Sequence, residues 1–237
     1  VYLKCFRRIM PLLIEEKDWQ IIVDISKAIE QSAAEVPHPK NQSIENLAAE
    51  TVYLKIDKDE DKDIQNRNET VQSALDYVFK DQINTLAKAY ETVDANEREP
   101  LGVIFDCLGY LGVETLGRIL ADTQDRQLRG HIVNWLIQKK AAARKWAHRI
   151  LNEPNRKWYL YRNAMLILGE VSSDEADADS IRPFLDDANS RLRLEALNVI
   201  SSLKPRDLET LIITSLGDSD SRINWRAVKA LGELPSI

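Results

Sequence analysis

The residues best placed by type and spacing to do chemistry lie in the middle of the chain. Arg144, Lys145, His148 and Arg149 recur at helical spacing, opposite Ala143, Trp146, Ala147, Ile150 and Leu151. On a helix this pattern puts a cationic stripe on one side and an apolar face on the other. Arg156, Lys157, Trp158 and Arg162 follow closely, so that Arg126 to Arg162 holds ten Lys or Arg against the single acid Glu153. That segment carries +9 within a chain whose net charge is −6, which leaves −15 on the rest. Asp57–Asp63 and Glu170–Asp187 are the acidic zones. A cationic stripe beside aromatic residues has the chemistry to meet an anionic surface, by ion pairing and stacking.

Other candidate chemistries fail on spacing. Asp57, Asp59, Asp61 and Asp63 alternate as in a calcium loop, but counted from Asp57 the turn glycine is replaced by Lys62 and the bidentate glutamate by Asn68. The reading is a solvated, mobile charged loop. His38, His131 and His148 form no zinc-ligand pair, and His131 is expected as a partly buried packing residue. No Gly-x-Ser-x-Gly elbow or phosphate-cradling loop occurs, and Gly109, Gly112 and Gly117 lack the dinucleotide-binding order. Their expected roles are tight helix packing and capping. Cys5 and Cys107 sit far apart in apolar surroundings, which predicts two buried thiols in a reducing, cytoplasmic setting and no disulfide framework. No catalytic, cofactor or metal residues are assigned.

The elements that must position the stripe are helical. The chain of 237 residues is 44% hydrophobic, with only 8 Gly and 8 Pro, a composition suited to helices rather than turn-rich sheets. No apolar run reaches the ~20 residues needed to span a bilayer. Leu120-Ala-Asp-Thr-Gln-Asp-Arg126, Leu151-Asn-Glu-Pro-Asn-Arg-Lys157, Leu185-Asp-Asp-Ala-Asn-Ser-Arg191 and Leu216-Gly-Asp-Ser-Asp-Ser-Arg222 share a leucine first, an acid third and a base seventh, at spacings of 31, 34 and 31 residues. A period of this length marks a stacked architecture.

Each turn precedes an apolar helix, at Leu128–Gln138, Trp158–Gly169, Leu192–Ser201 and Ile223–Gly232. Second helices are expected over Val113–Leu120, Ala141–Leu151, Asp177–Leu185 and Asp207–Leu216. Ala164, Ala196 and Ala227 permit close approach between helices. The third-place acids Asp122, Glu153, Asp187 and Asp218 are expected to cap the next helix, and the seventh-place bases to pair with them. Gly112, Gly169 and Gly232 are expected as left-handed helix ends.

Leu192-Arg-Leu-Glu-Ala-Leu, Ile223-Asn-Trp-Arg-Ala-Val-Lys-Ala-Leu-Gly232 and Trp158-Tyr-Leu-Tyr-Arg-Asn-Ala-Met-Leu-Ile-Leu-Gly-Glu170 resemble bacterial HEAT repeats of the short type found in phycobiliprotein-lyase-like proteins. The chain departs from that pattern at Ile200-Ser201, where Leu-Gly is usual, and at Asn224, where arginine is usual. The resemblance covers residues 100–237 and implies an all-α, right-handed solenoid of antiparallel helix pairs whose second helices line a concave face. It implies a solenoid that binds other macromolecules, and the charge asymmetry then leads to the expectation of a non-catalytic protein–protein interaction scaffold whose stripe meets an acidic partner. A nucleic-acid-binding protein and a lyase-like, chromophore-handling accessory protein are the alternatives, and the net charge argues against a broad phosphate-binding surface.

Residues 1–99 fit the repeat poorly and are expected as a helical extension. Pro11 should break the first stretch, and Asp18 should open a helix carrying Trp19, Ile22, Ile25 and Ile29. A loop at Pro37–Pro39, a helix from Ser43 to Leu54 and one long helix from Ile64 to Val93 complete the region. The apolar start at Val1 and the unpartnered last helix suggest a piece of a longer protein.

Overall fold

The computed structural model describes residues 2–34, 60–172 and 174–234. Every regular element among them is helical, and no helix there is long and apolar enough to cross a membrane. The loop at Pro37–Pro39, the helix expected from Ser43, and Asp57–Asp59 lie outside the described residues. The chain divides into two compact units, Val1–Gly112 and Val113–Ile237.

The first unit contains α1 (Tyr2–Glu15), α2 (Trp19–Ala34), α3 (Glu60–Phe79), α4 (Ile83–Thr92), α5 (Ala95–Cys107) and the start of α6 (Gly109–Asp122). Trp19, Ile22, Ile25 and Ile29 are all buried, as their spacing requires. Three expectations are corrected here. Pro11 does not break α1, which continues to Glu15; Pro11 lies on the exposed side, where water can meet a carbonyl left without a donor. The acidic stretch is helical from Glu60 onward rather than a loop throughout. The long helix divides into α3 and α4 around Lys80–Gln82. Leu75, Val78, Phe79, Leu86 and Tyr90 keep one helical phase across that division and all are buried, so periodicity reads straight through it. What marks the turn is a tertiary contact, since Asp81 accepts hydrogen bonds from Arg7 of α1.

In the second unit, α7 (Arg126–Gln138), α9 (Trp158–Val171), α10 (Ser190–Leu203) and α12 (Ser221–Gly232) pack one against the next. The first three each have a following element: α8 (Lys140–Asn152) after α7, two 3-10 segments (Glu175–Ser180 and Arg182–Asp186) after α9, and α11 (Leu208–Ser215) after α10. Ala164, Ala196 and Ala227 are fully buried at the helix contacts. The corresponding His131 is exposed instead, because Ile132 takes the inward place on α7 beside Leu128 and Trp135.

The α-helix expected at Asp177–Leu185 is replaced by the two 3-10 segments. Ala178, Ile181 and Phe184 are the buried apolar side chains there. Residues three apart eclipse in a 3-10 helix, so this spacing points all three inward, and Pro183 lacks the amide an α-helix interior would use.

The left-handed helix ends expected at Gly112, Gly169 and Gly232 are not found. Gly112 and Gly169 lie inside α6 and α9, Gly232 is the last residue of α12, and only Gly109 has positive φ among the described glycines. A Cβ on Gly112 would fall 2.1 Å from the carbonyl oxygen of Phe105, and one on Gly169 would fall 2.8 Å from Val199. Both positions serve close packing. Besides Gly109, the left-handed positions at or between element ends are held by Lys17, Lys140, Asn155 and Lys204.

Candidate functional site

Helix α8 forms as its sequence dictates. Ala143, Trp146, Ala147, Ile150 and Leu151 are buried, which turns Arg144, Lys145, His148 and Arg149 toward other surroundings. Arg144 meets the first 3-10 segment. Its Nε lies 2.7 Å from Asp177 Oδ2 and its Nη2 lies 2.6 Å from Asp177 Oδ1, with Asp174 Oδ2 at 3.0 Å from the same nitrogen. His148, one turn on, places Nε2 at 2.8 Å from Asp177 Oδ1 and Nδ1 at 2.8 Å from Ser180 Oγ.

Asp177 is the buried charged residue among the described residues, with 2% of its surface exposed. Burial alone would raise its pKa. Hydrogen bonds from Arg144, Ser172 and His148 outweigh that effect and hold the carboxyl below its ordinary range.

Four more cations of the segment also meet acidic or carbonyl acceptors of this chain. Arg149 bridges Glu114 and Glu153, with Nη1 at 2.8 Å from Glu153 Oε1. Arg156 donates to the second oxygen of Glu153 at 2.8 Å. Lys157 reaches the carbonyl of Ala121 at 3.0 Å and Asp122 at 3.4 Å, while Arg162 lies 2.9 Å from Glu195 on α10. Trp158 is 37% exposed and carries the Arg191 guanidinium 4.9 Å above its ring. Lys145 is exposed. The structure therefore brings Arg144 and His148 to one carboxylate and Arg149 and Arg156 to another. Lys157, Trp158 and Arg162 belong to a different edge, around the start of α9.

Trp146 and Trp135 are buried, in keeping with core roles. Gly117 on α6 provides the space for Trp146, since a Cβ there would fall 2.2 Å from the indole Nε1. Of the two cysteines only Cys107 is buried; Cys5 is exposed on α1, contrary to expectation.

Ser180, His148 and Asp177 have the residue types of a nucleophile–base–orienter relay. Their contacts tie α8 to the first 3-10 segment. Arg144 already occupies both oxygens of Asp177, so an imidazolium would share its counter-ion with a guanidinium. The amide of Ile181, next to the serine, is bonded to the carbonyl of Ala178 and is not free to hold an oxyanion.

Sequence reasoning missed the most buried ion pair in the second unit. Arg193 lies 2.7 and 2.8 Å from the two oxygens of Asp218 and donates to the carbonyl of Asp187 at 2.7 Å. The side chains of this pair are 14% and 10% exposed. The third-place acid of one turn is thus tied to the preceding first helix, through a base at the ninth place rather than the seventh. Helix capping falls to other residues, with Asp125 accepting amides at the start of α7, Asn189 at α10 and Asp220 at α12. Asp187 and Asp218 instead accept the amides of Asn189 and Asp220, bracing the turns just before those caps.

No family model and no curated protein matches the chain. Among solved structures, two engineered proteins determined by the Northeast Structural Genomics Consortium are similar to it. One has a TM-score of 0.36 at 13% identity and covers 74% of this chain and 55% of its own length. The other has a TM-score of 0.37 at 13% identity and covers 71% and 90%. The chain thus spans about half the length of the first.

Proposed function

We propose that residues 113–234 form a HEAT-like, right-handed stack of antiparallel helix pairs acting as a non-catalytic protein–protein interaction scaffold. The observation that carries this reading is where the charges and the apolar side chains go. Five cations of the central segment, Arg144, Arg149, Arg156, Lys157 and Arg162, pair with carboxylates of this chain, whereas Ile213, Trp225 and Val228 on the adjacent helices α11 and α12 are 51%, 67% and 59% exposed. Large exposed apolar side chains on neighbouring elements suit association with another protein. An acidic partner at the stripe would have to displace Asp174, Asp177, Glu114 and Glu153 from Arg144 and Arg149. The contact surface is therefore assigned to α11 and α12, with the stripe acting between neighbouring helical elements. The same engagement supports a protein partner over a nucleic acid, because a phosphate backbone needs cations that are not already neutralised.

The test is affinity capture from a native lysate at low and moderate salt, with and without nuclease, using the chain and a Trp225→Glu/Val228→Glu variant. Captured proteins that survive nuclease and are lost with the variant are expected. Capture that disappears with nuclease and falls steeply with salt would overturn the reading in favour of nucleic-acid binding. Equal capture by both chains would remove this surface from it.

A further inference from the structure

We draw no further inference here: the strongest candidate, the exposed apolar stripe that Tyr2, Ile9 and Leu12 form along α1, is a helix face with nothing in the structure to show what covers it.

Discussion

Cys107 and Cys5 show how far environment separates two residues of one type. Burial, together with the nearby Glu30, pushes the Cys107 thiol up to about 12, and the residue is buried. Cys5 is exposed. Because the thiolate is the reactive form, a thiol reagent at pH 8 should modify one cysteine in the native chain and two in denaturant; two fast native reactions would contradict the placement of Cys107. Arg193 and Asp218 make a stronger energetic claim, since the carboxylate is held below its ordinary range chiefly by the hydrogen bond from Arg193. Removing one member of a largely buried pair leaves the other unsatisfied, so Arg193→Ala should cost roughly 2–4 kcal/mol in chemical denaturation. Arg222→Ala, whose side chain is mostly exposed and pairs with Asp220 two residues away, should change the midpoint far less. Equal effects would mean that the Arg193 pair carries no special share of stability.

At the scale of elements, Gly117 and Gly112 test the packing directly. Gly117→Ala forces a methyl into the ring of Trp146, whereas Gly112→Ala meets the backbone carbonyl of Phe105, which has less freedom to move. Overpacking of this kind costs about 1–3 kcal/mol, and the Gly112 variant should be the more destabilised in thermal unfolding; wild-type stability in both would show that the helices sit further apart than described. The helices themselves were legible in the sequence, because Leu160, Ala164, Ile167 and Leu168 on α9 and their counterparts on α10 and α12 keep a period that burial makes obligatory. The turns between them were less so. Phe79 and Leu86 remain in phase across the break between α3 and α4, and only the tertiary pairing of Asp81 with Arg7 distinguishes that break from a continuous helix. The three-residue spacing of Ala178, Ile181 and Phe184 was readable as a 3-10 signal, but it competes with an acidic, alanine-containing stretch that also suits an α-helix. The cationic stripe was legible as charge; its partners were not, because Asp174 and Asp177 lie about thirty residues downstream and only the packing of the 3-10 segment brings them to α8.

For the whole chain, the ion pairs between its own arginines and carboxylates have a pH signature. Glu153, Asp177, Asp207, Asp218 and Asp220 all have carboxyls held below their ordinary range. A depressed folded-state pKa gives stability that is fully present above the unfolded value of about 4 and is lost as pH falls through the folded value. The denaturation midpoint should thus change little with these groups from pH 7 to 5 and drop steeply below about pH 4; a midpoint that held steady to pH 2 would contradict the shared direction of these shifts. The claim on which the account turns is that the central cations bind this chain's own carboxylates. The most direct measurement is a double-mutant cycle on Arg144 and Asp177, comparing urea unfolding of Arg144→Ala, Asp177→Ala and the double variant with the original chain. Each single change should cost about 1–3 kcal/mol, and the double variant should cost less than their sum by about 1 kcal/mol or more. Strictly additive losses, or no loss from Arg144→Ala, would show that Arg144 and its stripe are not held by Asp177 and would return them to the surface as candidates for a partner.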